Sequence, residues 1–137
     1  MSTPKIIRVR QEQLAEIGFK WCSKCTEIKP FSDFRIGGRK TATYRYQAHC
    51  KDCQDNDKQK RYDLNKSVVW ELKNNPCTDC NEIFHPAAMD FDHINEAEKS
   101  FNPSEYDRNL TDILKEIDKC ELVCSNCHRI RTYNRNQ

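Results

Sequence analysis

Four C-x-x-C pairs, a charge-rich composition and one long stretch free of Gly and Pro predict a small α+β protein in two modules, stabilised by metal rather than by a large apolar core. Of 137 residues, 36% are hydrophobic and 32% charged. That length suits one ordinary domain or two very small ones, and units below about 70 residues rarely fold on apolar burial alone. Nine cysteines are available to make up the difference. No leader-like apolar segment follows Met1, and no apolar run approaches the ~20 residues that span a bilayer. The expectation is therefore a cytoplasmic protein with no membrane partner. In a reducing compartment, paired C-x-x-C units take zinc more readily than they form structural disulfides.

The elements follow in order. Lys5-Ile6-Ile7-Arg8-Val9-Arg10 alternates loosely and reads as an edge strand or a basic arm. Gln11 to Ile17 reads as a short helix with Leu14 and Ile17 inward and Gly18 as its stop. Between Cys22-x-x-Cys25 and Cys50-x-x-Cys53, Gly37-Gly38 lies among Phe31, Phe34, Tyr44 and Tyr46, the pattern of a β-hairpin. From about Asp52 to Lys73 helix formers dominate, with Tyr62, Val69 and Leu72 near one face, and Asn74-Asn75-Pro76 ends the helix. Ala87 to Ile94 reads as a strand that alternates in its second half, Met89, Phe91 and His93 on one side, Asp90, Asp92 and Ile94 on the other. Thr111 is the expected N-cap of a helix through Ile113, Leu114 and Ile117, and Cys120 is expected on an apolar helix face as a packed free thiol. A last helix from about Asn126 would carry His128 on its first turn and Arg129, Arg131 and Arg135 beyond. The modules are thus a basic N-terminal zinc module (1–54), a linking helix (55–75) and a C-terminal domain (76–137). Beyond the C-x-x-C units no internal repeat is read.

Zinc favours four soft ligands in a tetrahedron, and each C-x-x-C supplies two thiolates from one tight turn. The expected groupings are Cys22, Cys25, Cys50 and Cys53 for one structural Zn²⁺ and Cys77, Cys80, Cys124 and Cys127 for the other, with an exchange of pairs between sites as the alternative. Asp92-His93 falls between the last two pairs, and His128 directly follows Cys127. A lone Asp-His pair carries little information. Bracketed by zinc knuckles, it frames the one residue set here suited to chemistry.

These residues carry a resemblance to the HNH endonucleases of ββα-metal fold, especially the phage endonuclease VII type. It covers about Cys77 to Tyr133 and rests on Cys77-x-x-Cys80, Asp92-His93-Ile94 and Cys124-x-x-Cys127-His128-Arg129. The resemblance implies an N-terminal zinc-ribbon-like module joined by a helix to a ββα-metal nuclease domain. It further implies that Asp92 and His128 hold one catalytic divalent ion, Mg²⁺, with His93 as general base, and that DNA is the substrate. A free-standing homing enzyme or a branched-DNA resolvase is the implied role, in the host cytoplasm if the chain is phage-encoded. The chain departs from the family at the middle Asn, where Lys119 stands; Asn109 and Asn126 are candidate substitutes, and Asp90 is a candidate accessory carboxylate. The oligomeric state is left open, a dimer included. The competing class is a non-catalytic zinc-dependent DNA-binding protein.

Charge is unevenly spread. Residues 1–66 hold 15 Lys and Arg against 8 Asp and Glu, a formal +7, and residues 67–137 hold 8 against 13, a formal −5. Arg39, Lys40, Arg45, Lys58, Lys60 and Arg61, with Lys24 and Arg35, are therefore expected to grip the DNA backbone. Arg129, Arg131 and Arg135 are expected to track phosphates at the rim of the site, with a solvated helix face as the alternative.

Overall fold

A computed structural model describes residues 5–37 and 45–137. The chain divides into two compact units, residues 1–58 and 59–137. Among the described residues every sheet is a two-stranded antiparallel pair, so the molecule is a small α+β protein of short sheets and helices.

In the first unit, helix α1 spans Lys5–Glu16. The expected strand or arm at residues 5–10 is its first half: nothing there breaks a helix, and an isolated strand would lack a ladder partner. Gly18 ends the helix as read, at φ 81° where a side chain would be strained. Strands β1 (Phe19–Trp21) and β2 (Ile28–Pro30) flank the first cysteine turn. Strands β3 (Phe34–Ile36) and β4 (Tyr46–Cys50) form the expected hairpin, with Phe31 stacked on Tyr46 at 4.5 Å between centroids. Arg39, Lys40 and Tyr44 lie outside the described residues. The core here is Cys22, Phe34 and Cys50, packed against Cys25, Tyr46 and Cys53.

Helix α2 runs from Lys51 to Leu72 and belongs to the second unit from Gln59 onward. Val69 packs with Tyr106 and Ile113, against Tyr62, Trp70, Phe91, Phe101 and Ile117. Leu72, expected inward, is exposed, and the inward polar residue is Asn65. Its amide donates to the Tyr106 and Arg108 carbonyls, 2.8 Å each, pinning the loop before the next helix. Strands β5 (Met89–His93) and β6 (Cys120–Cys124) pair in unbroken register, Met89 with Cys124 through His93 with Cys120. Between them lies helix α3 (Leu110–Ile117), capped by Asn109 rather than Thr111: the Asn109 side chain accepts from the Thr111 amide at 2.9 Å. Cys120 sits at the start of β6, not on a helix, because α3 stops at Ile117. Helix α4 (Ser125–Arg135) starts one residue before the expected Asn126, and its N-cap is Cys124. A second core of Cys77, Met89, Val123 and Cys124 ties this hairpin to the cysteine turn.

The two units share more than their cysteines. In each, the amide of the first cysteine bonds the carbonyl five residues on (Cys22 to Glu27, Cys77 to Glu82, 2.9 Å each). The residue after the second cysteine is left-handed in both, Thr26 at φ 62° and Asn81 at φ 61°. A 3₁₀ turn begins nine residues after the first cysteine, at Phe31 and at Pro86. A strand then begins at Phe34 or Met89, each paired with the third cysteine, Cys50 or Cys124, and a helix starts at the next residue. Finally, the third cysteine's amide donates to the first cysteine's sulfur, at 3.3 Å from Cys50 and 3.2 Å from Cys124. The structure thus extends the C-x-x-C repeat to a whole unit.

Candidate functional site

The cysteine turns bring the sulfurs of Cys22, Cys25, Cys50 and Cys53 within 4.8 Å of one another, and likewise those of Cys77, Cys80, Cys124 and Cys127. Both quartets are compatible with a zinc ion, in the grouping without exchange of pairs. Burial pushes the Cys22 and Cys77 thiols up, yet several backbone N–H donors bring each down to about 6. Two sulfurs are thereby favoured as thiolates by the amides of the turn together with that of the third cysteine. Cys120 belongs to neither quartet; burial pushes its thiol up to about 11, which suits an inert packed residue.

Beside the second quartet, strand β5 aligns Asp90 and Asp92 on one side, and the first turn of α4 brings His128 to both. The His128 ring approaches Asp90 Oδ2 through Nδ1 at 3.0 Å and Asp92 Oδ1 through Nε2 at 3.5 Å. His128 thus lies between two carboxylates, Nδ1 toward Asp90 and Nε2 toward Asp92. Asp92 is only 4% exposed. Arg135 donates to both its oxygens (2.9 and 2.7 Å) and Arg131 to one (3.0 Å). Burial pushes the Asp92 carboxyl up, but these guanidinium groups hold it below the usual carboxylate range.

His93 closes the set. It is 4% exposed, and its Nε2 lies 2.7 Å from Glu116 Oε1. Glu116, on α3, also accepts from the Ser100 amide (2.8 Å) and from Lys119 Nζ (2.8 Å). Burial works against its charge, but Lys119, the Ser100 amide, His93 and the Phe101 amide bring its carboxyl down to about 2. Phe91, Asp92, His93, Glu96, Lys99, Asn102, Pro103 and His128 line one cavity of about 90 Å³.

The structure thus brings Asp92, His93 and His128 to one cavity and gives Asp90 a place beside them. It gives Lys119 to Glu116, Asn109 to the α3 cap, and leaves Asn126 exposed. Arg131, expected at phosphates, is instead bound to carboxylates: to Asp79 by two bonds (2.7 and 2.6 Å), to Asp92, and to Glu121 at 2.8 Å. Arg45, Lys58, Lys60, Arg61 and Arg129 are exposed. The sequence reading passed over Glu116 and Lys99. Glu116 carried a signal, since it falls three residues after Ile113 and one before Ile117, on the inward face of α3. Lys99 carried none, because only the loop's fold brings it to the cavity.

The architecture and its sites define a small α+β protein with two quartets of cysteines compatible with zinc. No family model matches the chain, nor does any curated protein or solved structure.

Proposed function

We propose that the second unit is a metal-dependent DNA endonuclease, hydrolysing phosphodiester bonds in the manner of the HNH enzymes of ββα-metal fold, as a free-standing homing enzyme or a branched-DNA resolvase. What supports this most directly is that an acid, a buried histidine and a second histidine line one small cavity beside a cysteine-pinned hairpin and helix. Asp92 and His128 are the residues that would hold one divalent ion, Mg²⁺, whose role when bound is to neutralise charge at the reacting phosphate.

The remaining roles belong to the chain. His93, at the wall of the cavity, is the general base, the part an imidazole most often takes in such chemistry. A carboxylate only accepts hydrogen bonds, so Glu116 keeps the His93 proton on Nε2 and leaves Nδ1 as the basic atom. Glu116 also holds the Ser100 amide and so braces the loop, the service that the middle Asn gives in the family the sequence resembles. Asp90 orients His128. Lys99, at the cavity wall, supplies a cation for a substrate phosphate. The exposed Arg45, Lys58, Lys60, Arg61 and Arg129 hold the DNA backbone without reading sequence.

A second reading has one observation in its favour: both oxygens of Asp92 already accept from guanidinium groups, as in a purely structural ion cluster of a zinc-dependent DNA-binding protein. Incubating the purified protein with supercoiled plasmid separates the two. The nuclease reading expects nicking that requires Mg²⁺ and is lost in His93→Ala, while zinc content and DNA binding persist. Absence of cleavage on plasmid and branched DNA across Mg²⁺ and Mn²⁺ would sink it in favour of the second.

A further inference from the structure

We infer that residues 22–37 with 45–57, and residues 77–131, are two copies of one structural unit, and that the first copy holds a nucleic-acid phosphate on the face where the second carries Asp90 and His128. The identity of the polyanion rests on the nuclease reading; the duplication does not.

Beyond the shared turns, strands and helix starts, side-chain contacts recur at matching offsets. Ser23 and Thr78 each follow the first cysteine. Each donates from amide and hydroxyl to the carbonyl two residues before the third cysteine: Ser23 to Ala48 at 3.2 and 3.4 Å, Thr78 to Leu122 at 2.8 Å for both. The residue two after the first cysteine pairs with the one seven after the third, Lys24 with Asp57 and Asp79 with Arg131. The second strand residue meets the residue after the fourth cysteine. In the second unit that contact is Asp90 with His128, and in the first Arg35 Nη1 donates to Gln54 Oε1 at 2.8 Å. A third such residue, Asp92, has Gly37 at its offset, which brings no ligand.

The contacts persist while the charges invert. Arg35 stands for Asp90, Gln54 for His128 and Lys24 for Asp79, so the open oxygen and nitrogen site has no counterpart in the first copy. Where the second copy presents a carboxylate and an imidazole, the first presents a guanidinium, and a guanidinium matches phosphate. Arg35 is held in aim by Gln54 and Asp55, yet its side chain stays 43% exposed. The unit around it is basic: residues 1–58 carry 12 Lys and Arg against 7 Asp and Glu, a formal +5, and residues 59–137 carry 11 against 14, a formal −3. The two copies would then share one substrate, the second reaching it through a divalent ion and the first through a guanidinium.

Full-length, zinc-loaded protein tests both halves. In fluorescence anisotropy over a salt series, without added divalent ions, Arg35→Ala should weaken binding to unrelated duplexes alike. It should also make the slope of log K against log salt shallower by about 0.9, the loss of one phosphate contact. Arg35→Lys should restore most of that slope, and native mass spectrometry should find two zinc ions in every variant. Titration with Mn²⁺ followed by electron paramagnetic resonance should find one tight site beyond zinc, abolished by Asp92→Asn and kept in Arg35→Ala. Wild-type affinity and slope in Arg35→Ala would overturn the phosphate site, and a tight Mn²⁺ surviving Asp92→Asn would overturn the claim that the first copy holds none. Binding is measured without cleavage, so a protein that never cuts but loses grip in Arg35→Ala forfeits the nuclease reading and keeps this one.

Discussion

Glu116 is the residue on which most of the second unit's polar order converges: one carboxylate, 2% exposed, satisfies His93, Lys119 and the Ser100 amide. Glu116→Ala should release the His93 tautomer. The proton shared between Nδ1 and Nε2 would appear in nitrogen-15 correlation spectra, and any cleavage rate should fall on the order of 10²-fold or more. Glu116→Gln, whose carbonyl can still accept, should keep the tautomer; if Glu116→Ala keeps it too, the assigned brace is wrong. The carboxyl is held at about 2, below its ordinary value, so its contribution to stability has a defined direction. It is fully present above the unfolded value of about 4.3 and is lost as pH falls through the folded value. The Tm advantage of wild type over Glu116→Gln should therefore be constant near neutrality and shrink from about pH 4.3 downward, with zinc release followed in parallel by a chromogenic chelator. Arg135 acts in the other direction, since it occupies the carboxylate that would face an ion. Arg135→Ala is expected to tighten Mn²⁺ binding; weaker binding would mean that the guanidinium assists the ion rather than competing with it.

At the scale of elements, the β5–β6 hairpin is held from two sides. Cys77 and Cys124 pack with Met89 and Val123, so a zinc ion there would join the hairpin, the cysteine turn and the start of α4 in one step. Cys77→Ser is expected to leave one zinc per chain and unfold the second unit while the first keeps its own. Cys120→Ser should change neither the zinc count nor the helical signal by circular dichroism. On the opposite side, α2 fastens the loop of residues 101–109 through Asn65. Asn65→Ala would leave two carbonyls, one of them deep in the interface, without their donor, at a cost of about 1–3 kcal/mol. Urea denaturation of the zinc-loaded protein reads that cost, and a change below about 0.5 kcal/mol would show that water replaces the amide.

For the whole molecule, the division at residues 58 and 59 sets where the chain can be cut. Tyr62, Asn65 and Val69 belong to the interior of the second unit, so a fragment beginning at Gln59 keeps them and one beginning at Ser67 discards Tyr62 and Asn65. The longer fragment is expected to fold with one zinc ion. Carrying a formal −3, it should bind DNA more weakly than the full chain and with a shallower salt slope. Equal affinity and slope for fragment and full chain would show that the first unit serves another partner.

The sequence determined by itself what spacing alone can encode: the two cysteine quartets, the long helix, the alternation of Met89 to His93, and the stop at Gly18. These depend on contacts a few residues apart or on ligand chemistry that admits one residue type. It misplaced the arm at residues 5–10, where a loose alternation also fits a helix, and it placed Cys120 on a helix because nothing local announces that α3 ends at Ile117. The tertiary structure alone decided which charges meet. Arg131 looks like a phosphate ligand along the chain, but the cysteine turn of the second unit, β5 and β6 surround it with Asp79, Asp92 and Glu121. The likeness of the two units was hidden for the same reason: its side-chain pairs lie 19 to 52 residues apart and keep their positions while exchanging their charges, which a comparison of residue types passes over and packing does not.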